Sequence, residues 1–368
     1  MNVLFFYIAL IFGTYLLFYI QNSLVDVNIK ENPNIMIRLN RNFWKFIFIA
    51  IAMIPMMYIL TNRYMFGTDY KNYYLMYNNY FAYGFNNFEL GTIALFNISE
   101  WMGWNFKGFL FLTSVIEMIV AAVAIRRHCE KHVYPLSILF FLTLYFGPST
   151  NIIAQISALS FLIFAYEYMI KEQWVPVTIF CLIATLFHSS AIVCIGAYFL
   201  YVFNNRSKIK ILSIVVLALG LLLAVYPNLL KTILYLLGPK YAIYSDYLGH
   251  NRINTFFYLL VYRSPLYIVE CVFCKYLVSK KTKNQFYYLL VLLEISCCIM
   301  GISMAWVGRL AYFFSIGHVF LSCELIDSLE NKNTGPIIST LFVLYFFASF
   351  CLMHFFSGFD GIDNFQLI

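Results

Sequence analysis

FKGFLFLTSVIEMIVAAVAI occupies residues 106–125, and Arg126, Arg127 and Lys131 follow at once. About 20 residues at 1.5 Å rise cross the hydrocarbon core of a bilayer, so this run predicts a membrane-spanning helix closed by a basic loop. The pattern recurs along the chain. Apolar runs predict spans at 3–20, 43–60, 106–125, 134–146, 152–170, 175–187, 191–203, 209–226, 256–278, 286–304, 310–326 and 337–355. Three are short, and the pair flanking His188 also reads as one bent helix, so about ten to twelve spans are expected. The fold class is an all-α integral membrane protein, a polytopic bundle forming a single membrane domain over residues 1–368.

Composition agrees. Of the 368 residues 62% are apolar and 11% charged, and mean hydropathy is +0.78. A soluble globule needs more charged surface than this. The N-terminal run has no basic stretch before it and no small-residue cleavage site, so it reads as a span and not a removable leader. Aromatic residues make up 20% of the chain. Most fit interfacial belts, and rings beside polar groups also make platforms for sugars.

The net charge of +7 is carried by short clusters: Lys30, Arg38, Arg41 and Lys45; Arg126, Arg127 and Lys131; Arg206, Lys208 and Lys210; Lys275, Lys280, Lys281 and Lys283. With the spans above, all fall on one side. The positive-inside rule makes that side cytoplasmic and sets both termini outside. Such clusters are topology signals and not a nucleic-acid surface. None of the nine Cys falls in an external loop, so no disulfide framework is expected. Cys271 and Cys274 are spaced C-x-x-C inside an apolar helix, where packed thiols are the expectation.

Two external segments are long, 61–105 and 227–255. Loops of this length tend to be lids or binding elements. In the first, Gly67-Thr68-Asp69 reads as a turn feeding a helix, with Thr68 or Asp69 as cap. Tyr70, Tyr73, Tyr74, Tyr77 and Tyr80 then share one face. That face fits an interfacial amphipathic helix or a sugar-binding lid hinged at Gly67. The sequence contains no Gly-rich phosphate loop and no Gly-x-Ser-x-Gly. His128 and His132 have i, i+4 spacing, but they sit among Arg126, Arg127 and Lys131, which repel a cation, so a solvated basic turn is expected. No cofactor and no metal are expected.

Charge at the membrane boundary is the main functional signal, because ionisable residues in apolar spans are costly. Arg263 lies inside a span beside Pro265; Arg309 opens another; Arg63 closes the second; Arg252 lies in the second external segment; His188 sits at an external turn. Arg63 and Arg252 also fit simple snorkelling, Arg309 fits a structural pair with Glu294, and His188 fits an ordinary turn residue. Together, four Arg and one His on one face suit a multiply charged anion such as a lipid pyrophosphate, since Arg forks bind phosphate oxygens and stay charged when desolvated. In transfer of a lipid-linked sugar chain, Arg would stabilise the leaving pyrophosphate and His188 would take the proton of the attacking hydroxyl.

Arg63-Tyr64-x-x-Gly67-Thr68-Asp69-Tyr70-x-x-Tyr73, Phe187-His188-Ser189-Ser190-Ala191 and Gly308-Arg309-Leu310-Ala311-Tyr312 resemble the EpsG-like branch of the Wzy polymerases. The resemblance covers most of the chain in segment order, and the first element is its most specific part. It implies kinship with C-type membrane glycosyltransferases. It also implies polymerisation of oligosaccharide repeat units carried on undecaprenyl pyrophosphate, by block transfer at the external face of the bacterial inner membrane, for a capsule, exopolysaccharide or O-antigen. Implied partners are the lipid-linked oligosaccharide, the bilayer, a chain-length regulator and a flippase. Arg63, Asp69, Tyr70, Tyr73, Gln155, Arg252 and Arg263 become substrate-binding candidates, and His188 and Arg309 catalytic ones. One departure stands out. The family commonly has Asn-x-x-Arg-Gln-x-x-Ala at the start of a middle span, whereas this chain reads Asn151-Ile152-Ile153-Ala154-Gln155-Ile156-Ser157-Ala158. Ala154 thus stands where the family has Arg. An O-antigen ligase or other membrane transferase, and a lipid-linked oligosaccharide flippase, are the alternatives. The intramembrane Arg all fall in the expected outer half, which favours chemistry over transport.

Overall fold

The computed structural model describes residues 3–27, 35–64, 67–84, 88–203, 209–237, 253–303, 305–329 and 334–356. The described residues are helical, with no strand among them. Among the described residues seven helices are long and apolar enough to cross a membrane, and three shorter apolar helices, Trp174–Phe187, Ser189–Phe203 and Ile214–Val225, accompany them. The chain is therefore an all-α polytopic membrane protein.

In chain order the first helices are α1 (Val3–Val27), α2 (Ile35–Asn62), α3 (Tyr70–Tyr83), α4 (Leu90–Trp101) and α5 (Asn105–Ile125). Then come α6 (Tyr134–Asn151), α7 (Ile153–Ile170), α8 (Trp174–Phe187) and α9 (Val193–Phe203). They are followed by α10 (Ile209–Val225), α11 (Pro227–Leu237), α12 (Ile253–Lys280) and α13 (Asn284–Ser303). Last are α14 (Ala305–Gly308), α15 (Ala311–Phe314), α16 (Ile316–Leu329) and α17 (Gly335–Cys351).

Several expectations change. The segment 61–105 is not an open loop, because it folds into α3 and α4. Within 227–255 the chain forms α11, while residues 238–252, including Arg252, lie outside the described residues. Lys30, Arg206 and Lys208 also lie outside them. The span expected at 310–326 is divided into α15 and α16, and the one at 134–146 runs on to Asn151. The two runs flanking His188 are not one bent helix: α8 stops at Phe187, His188 is extended (φ −150°, ψ 114°), and a 3-10 turn at Ser189–Ile192 starts the next run. His128 is not in a solvated turn; it is buried, with Nε2 2.8 Å from the Ile163 carbonyl. Cys271 is exposed and not packed, and all nine Cys are free.

The helices gather into two compact units, one of Met1–Ile192 with Leu329–Ile368 and one of Val193–Ser328. In the first unit α6 is buried all round, packed by α1, α7 and α17. A helix buried on every side needs no polar face, but its Ser and Thr hydroxyls still need acceptors. They bond back into the helix, as from Ser137 to the Tyr134 carbonyl (2.6 Å) and from Thr143 to that of Phe140 (2.9 Å). In the second unit α10 packs on α13 through Gly220, where a Cβ would lie 3.0 Å from the Ser296 Cβ. Lacking a side chain there lets the two backbones approach, a common membrane-helix device.

Candidate functional site

The first unit brings three sequence elements together at the junction of α6 and α7. Pro148 stands in the last turn of α6, and Ile152 leaves helical geometry (φ −94°, ψ 52°). Interrupting a helix strands its last carbonyls and the first N–H groups of the next segment. The element at 63–73 meets them. Arg63 Nη1 donates to the Ser149 carbonyl (3.1 Å), and the Ala154 N–H donates to the Tyr73 hydroxyl (3.3 Å). The Thr68 hydroxyl donates to Asn151 Oδ1 (3.1 Å). Gly67, at φ +89°, lies directly against the Thr150 carbonyl, and any Cβ there would meet it. Both its positive φ and this contact require glycine.

Thr68 and Asp69 were both candidate caps. Asp69 takes the N-cap position of α3 but makes no side-chain cap bond; its Oδ1 accepts from Asn72 Nδ2 (3.3 Å). Thr68 instead faces Asn151. Most of the tyrosine face of α3 packs into the protein, with Tyr74 left exposed. Tyr70 and Tyr77 are buried against Phe96, Phe106 and Phe109 from α4 and α5, with Tyr73 and Tyr80 packed alongside. Ring pairs meet edge to face, such as Phe96–Phe109 at 4.7 Å and Tyr70–Phe106 at 5.5 Å. Each such pair contributes about 0.5–1.5 kcal/mol beyond its buried area. This cluster fixes α3 and so fixes Tyr73 over the α6–α7 break.

Arg63 is 2% exposed. Burial pushes its guanidinium down to about 10, opposed chiefly by the carboxylate of Glu117 and then by Tyr70 and Tyr73. It therefore stays charged at neutral pH. Glu117 is buried in a π-helical turn, Ile116–Val120, within α5, and its Oε1 accepts from the Ser157 hydroxyl (3.4 Å). Ser157 is one turn beyond Ala154 on α7. Sequence reasoning missed Glu117, although a lone acid inside the 106–125 run carries the same signal that singled out Arg263. π-turns inside α-helices are frequent at functional sites. Gln155 is buried at the same junction and Ala154 is half-buried. Burial raises the Tyr73 phenol, with Asp69, Glu117 and Glu89 adding to the effect.

His188 belongs to the same unit. Its side chain is 33% exposed, and Nδ1 lies 3.9 Å from Glu89 Oε1. The Ser189 hydroxyl reaches the same oxygen at 3.5 Å. Gly91, at the start of α4, fixes this pairing, because a Cβ there would sit 2.7 Å from the Leu186 carbonyl at the end of α8. The imidazole is thus open on one side and has the Glu89 carboxylate 3.9 Å away on the other. Glu89 was another residue the sequence reading did not single out.

Arg263 and Arg309 lie in the second unit. Arg263 is fully buried on α12 and pairs with Glu294. Its Nη1 also donates to the Ser315 hydroxyl (2.6 Å). Glu294 faces His318 Nε2 in turn, and His318 Nδ1 lies 2.7 Å from Glu270 Oε1. Glu294, weighed as a partner of Arg309, is thus engaged by Arg263 and His318. Arg309 is half-buried in the turn between α14 and α15. No group of His, Cys, Asp and Glu suited to a metal occurs among the described residues.

These features define a multi-pass membrane protein whose polar side chains converge on interrupted helices. The chain belongs to the EpsG family, whose pattern it matches over residues 46–367, a Wzy-like polymerase family. Membership places it among multi-pass bacterial membrane proteins with a polysaccharide polymerase-type role. No curated protein and no solved structure matches it.

Proposed function

We propose that this protein polymerises oligosaccharide repeat units carried on undecaprenyl pyrophosphate, by block glycosyl transfer at the outer leaflet of the bacterial inner membrane. The observation that carries the reading is the docking of Arg63, Thr68 and Tyr73 onto the α6–α7 break, at Ser149, Asn151 and Ala154. In the reaction the acceptor hydroxyl attacks the anomeric carbon of the donor chain. His188 takes the hydroxyl proton while Glu89 orients the imidazole. The anomeric C–O bond breaks and the electron pair leaves on the pyrophosphate, whose charge a guanidinium stabilises; Arg63 is the candidate in the first unit and Arg309 the candidate in the second. Asp69, Tyr70 and Gln155 position the sugar. Arg263 is already balanced by Glu294, so its contribution is to hold α12 and α13 to the junction of α15 and α16 and not to contact pyrophosphate.

The test is purified protein incubated with synthetic undecaprenyl-pyrophosphate repeat units, without nucleotide, and products resolved by size. A ladder spaced by one repeat is expected, and Arg309→Ala should reduce it about 10²–10³-fold. Intact lipid binding with no ladder would overturn the polymerase reading and favour a ligase or a transporter. Ala154→Arg is expected to raise the rate several-fold. Residue 154 opens α7, half-buried beside Tyr73, where a guanidinium adds positive charge to the same junction. No gain in polymer from that variant would remove position 154 from the site.

A further inference from the structure

Two clefts lie near Arg63; the first is lined by Arg63 and Tyr70, which the reaction above employs, and both add Lys107, which it does not. One, of about 330 Å³, is lined by Thr61, Arg63, Tyr64, Tyr74, Asn105 and Lys107, with other aromatic and apolar residues behind them. The other, of about 360 Å³, is lined by Thr61, Trp104, Lys107, Gly108 and Phe111. They share Thr61 and Lys107. We infer that together they form a lateral site for a phosphate-headed membrane lipid, with its headgroup between Arg63 and Lys107 and its chain over Trp104, Gly108 and Phe111.

Four observations lead there. The clefts sit where the membrane-crossing part of α2 ends (Phe43–Asn62) and that of α5 begins (Asn105–Ile125), the level at which headgroups meet hydrocarbon. Both cations line the first cleft, and no carboxylate lines either. Arg63 Nε is buried without a hydrogen-bond partner among the described residues, and a buried unpaired N–H costs about 1–3 kcal/mol. Lys107 is exposed and has no ion-pair partner among the described residues, so its charge is uncompensated, whereas Glu117 offsets that of Arg63. The second cleft is almost wholly apolar around Lys107, and half-exposed Trp104 and Phe111 give it a ring-lined wall. Charge at one end and apolar wall at the other match an amphiphile and not a free phosphate.

The site deepens the proposed use of a lipid-linked donor, but it is tested by binding alone, so a failed polymerisation assay leaves it standing and a failed binding assay leaves the polymerase reading standing. Full-length protein in neutral detergent is titrated with farnesyl phosphate, phosphatidylglycerol and farnesol, with retention read by native mass spectrometry. Farnesyl phosphate should bind at least tenfold more tightly than farnesol. Lys107→Gln should weaken it about tenfold, as expected for one charge-assisted contact, and Lys107→Glu further. Lys107 is exposed, so neither variant threatens folding. Lys71→Glu, an exposed charge on α3 outside both clefts, should leave binding unchanged. Preference for farnesyl phosphate over phosphatidylglycerol assigns the site to a carrier-type monoester, and equal binding assigns it to a bilayer phospholipid; both keep it a phosphate-lipid site. Wild-type affinity in Lys107→Glu, an equal loss in Lys71→Glu, or farnesol bound as tightly as its phosphate would overturn it.

Discussion

Arg63→Ala is expected to lower polymer formation about 10²–10³-fold, the range for losing one preorganised charge at a transition state. The same change also has a structural cost. Arg63 caps the Ser149 carbonyl and is the leading charge partner of buried Glu117. Removing it takes the leading charge partner from buried Glu117 and the donor from the Ser149 carbonyl, and a buried polar group left unsatisfied costs about 1–3 kcal/mol. A fall in activity alone therefore proves little. The double variant Arg63→Ala/Glu117→Gln separates the two roles, since it removes both charges and the stranded acid with them. Thermal unfolding in detergent should show the double variant recovering most of the lost stability. Product ladders should stay at the single variant's low level. Recovery of both would mean that Arg63 only holds α5, α6 and α7 in place. Arg63→Lys sharpens the distinction, because a lysine keeps the charge but lacks the planar fork. It should keep more stability than activity.

Much of this architecture was legible in the chain. The helices follow from the apolar runs, because an α-helix pairs its backbone N–H and C=O groups within one segment inside lipid. The turn at Gly67 followed by a tyrosine-faced helix was also readable, since α3 starts at Tyr70. What hid was partnership. Tyrosines at helical spacing look the same whether they face headgroups or pack on Phe106 and Phe109, and only the path of α4 and α5 decides. Likewise Pro148 signals a helix disturbance, yet nothing local says that Arg63 and Tyr73, distant in sequence, answer the stranded groups of Ser149 and Ala154. Arg263 stood out by position but its neutralisation did not, because Glu294, His318 and Glu270 come from turns far apart along the chain. Glu117 and Glu89 were visible as residues. One lacked a named partner and the other looked like an ordinary loop acid.

Glu294→Ala should be the most destabilising single change in the second unit, at about 3–5 kcal/mol. Glu294 is fully buried and contacts both Arg263 and His318, while the Ser315 hydroxyl donates to its Oε1 at 2.9 Å. His318 would keep Glu270, but Arg263 would keep only Ser315. Two guanidinium nitrogens, Nε and Nη2, already lack partners among the described residues, so nothing nearby takes up the lost bond. An uncompensated guanidinium in a helix bundle surrounded by lipid draws in water or moves the helix that carries it. Arg263→Met together with Glu294→Leu removes both charges and fills similar volume, and such replacements are often neutral in stability. The double variant should therefore unfold near the wild-type midpoint in detergent while Glu294→Ala unfolds much earlier. Equal midpoints for Glu294→Ala and wild type would mean that Arg263 is not held by this carboxylate. Polymer formation by the double variant then settles what the network is for. A full ladder makes it a device for fixing α12, α13 and α16. A stable but inactive double variant would mean that the reaction draws on these buried charges, and would return Arg263 to the candidates for the pyrophosphate.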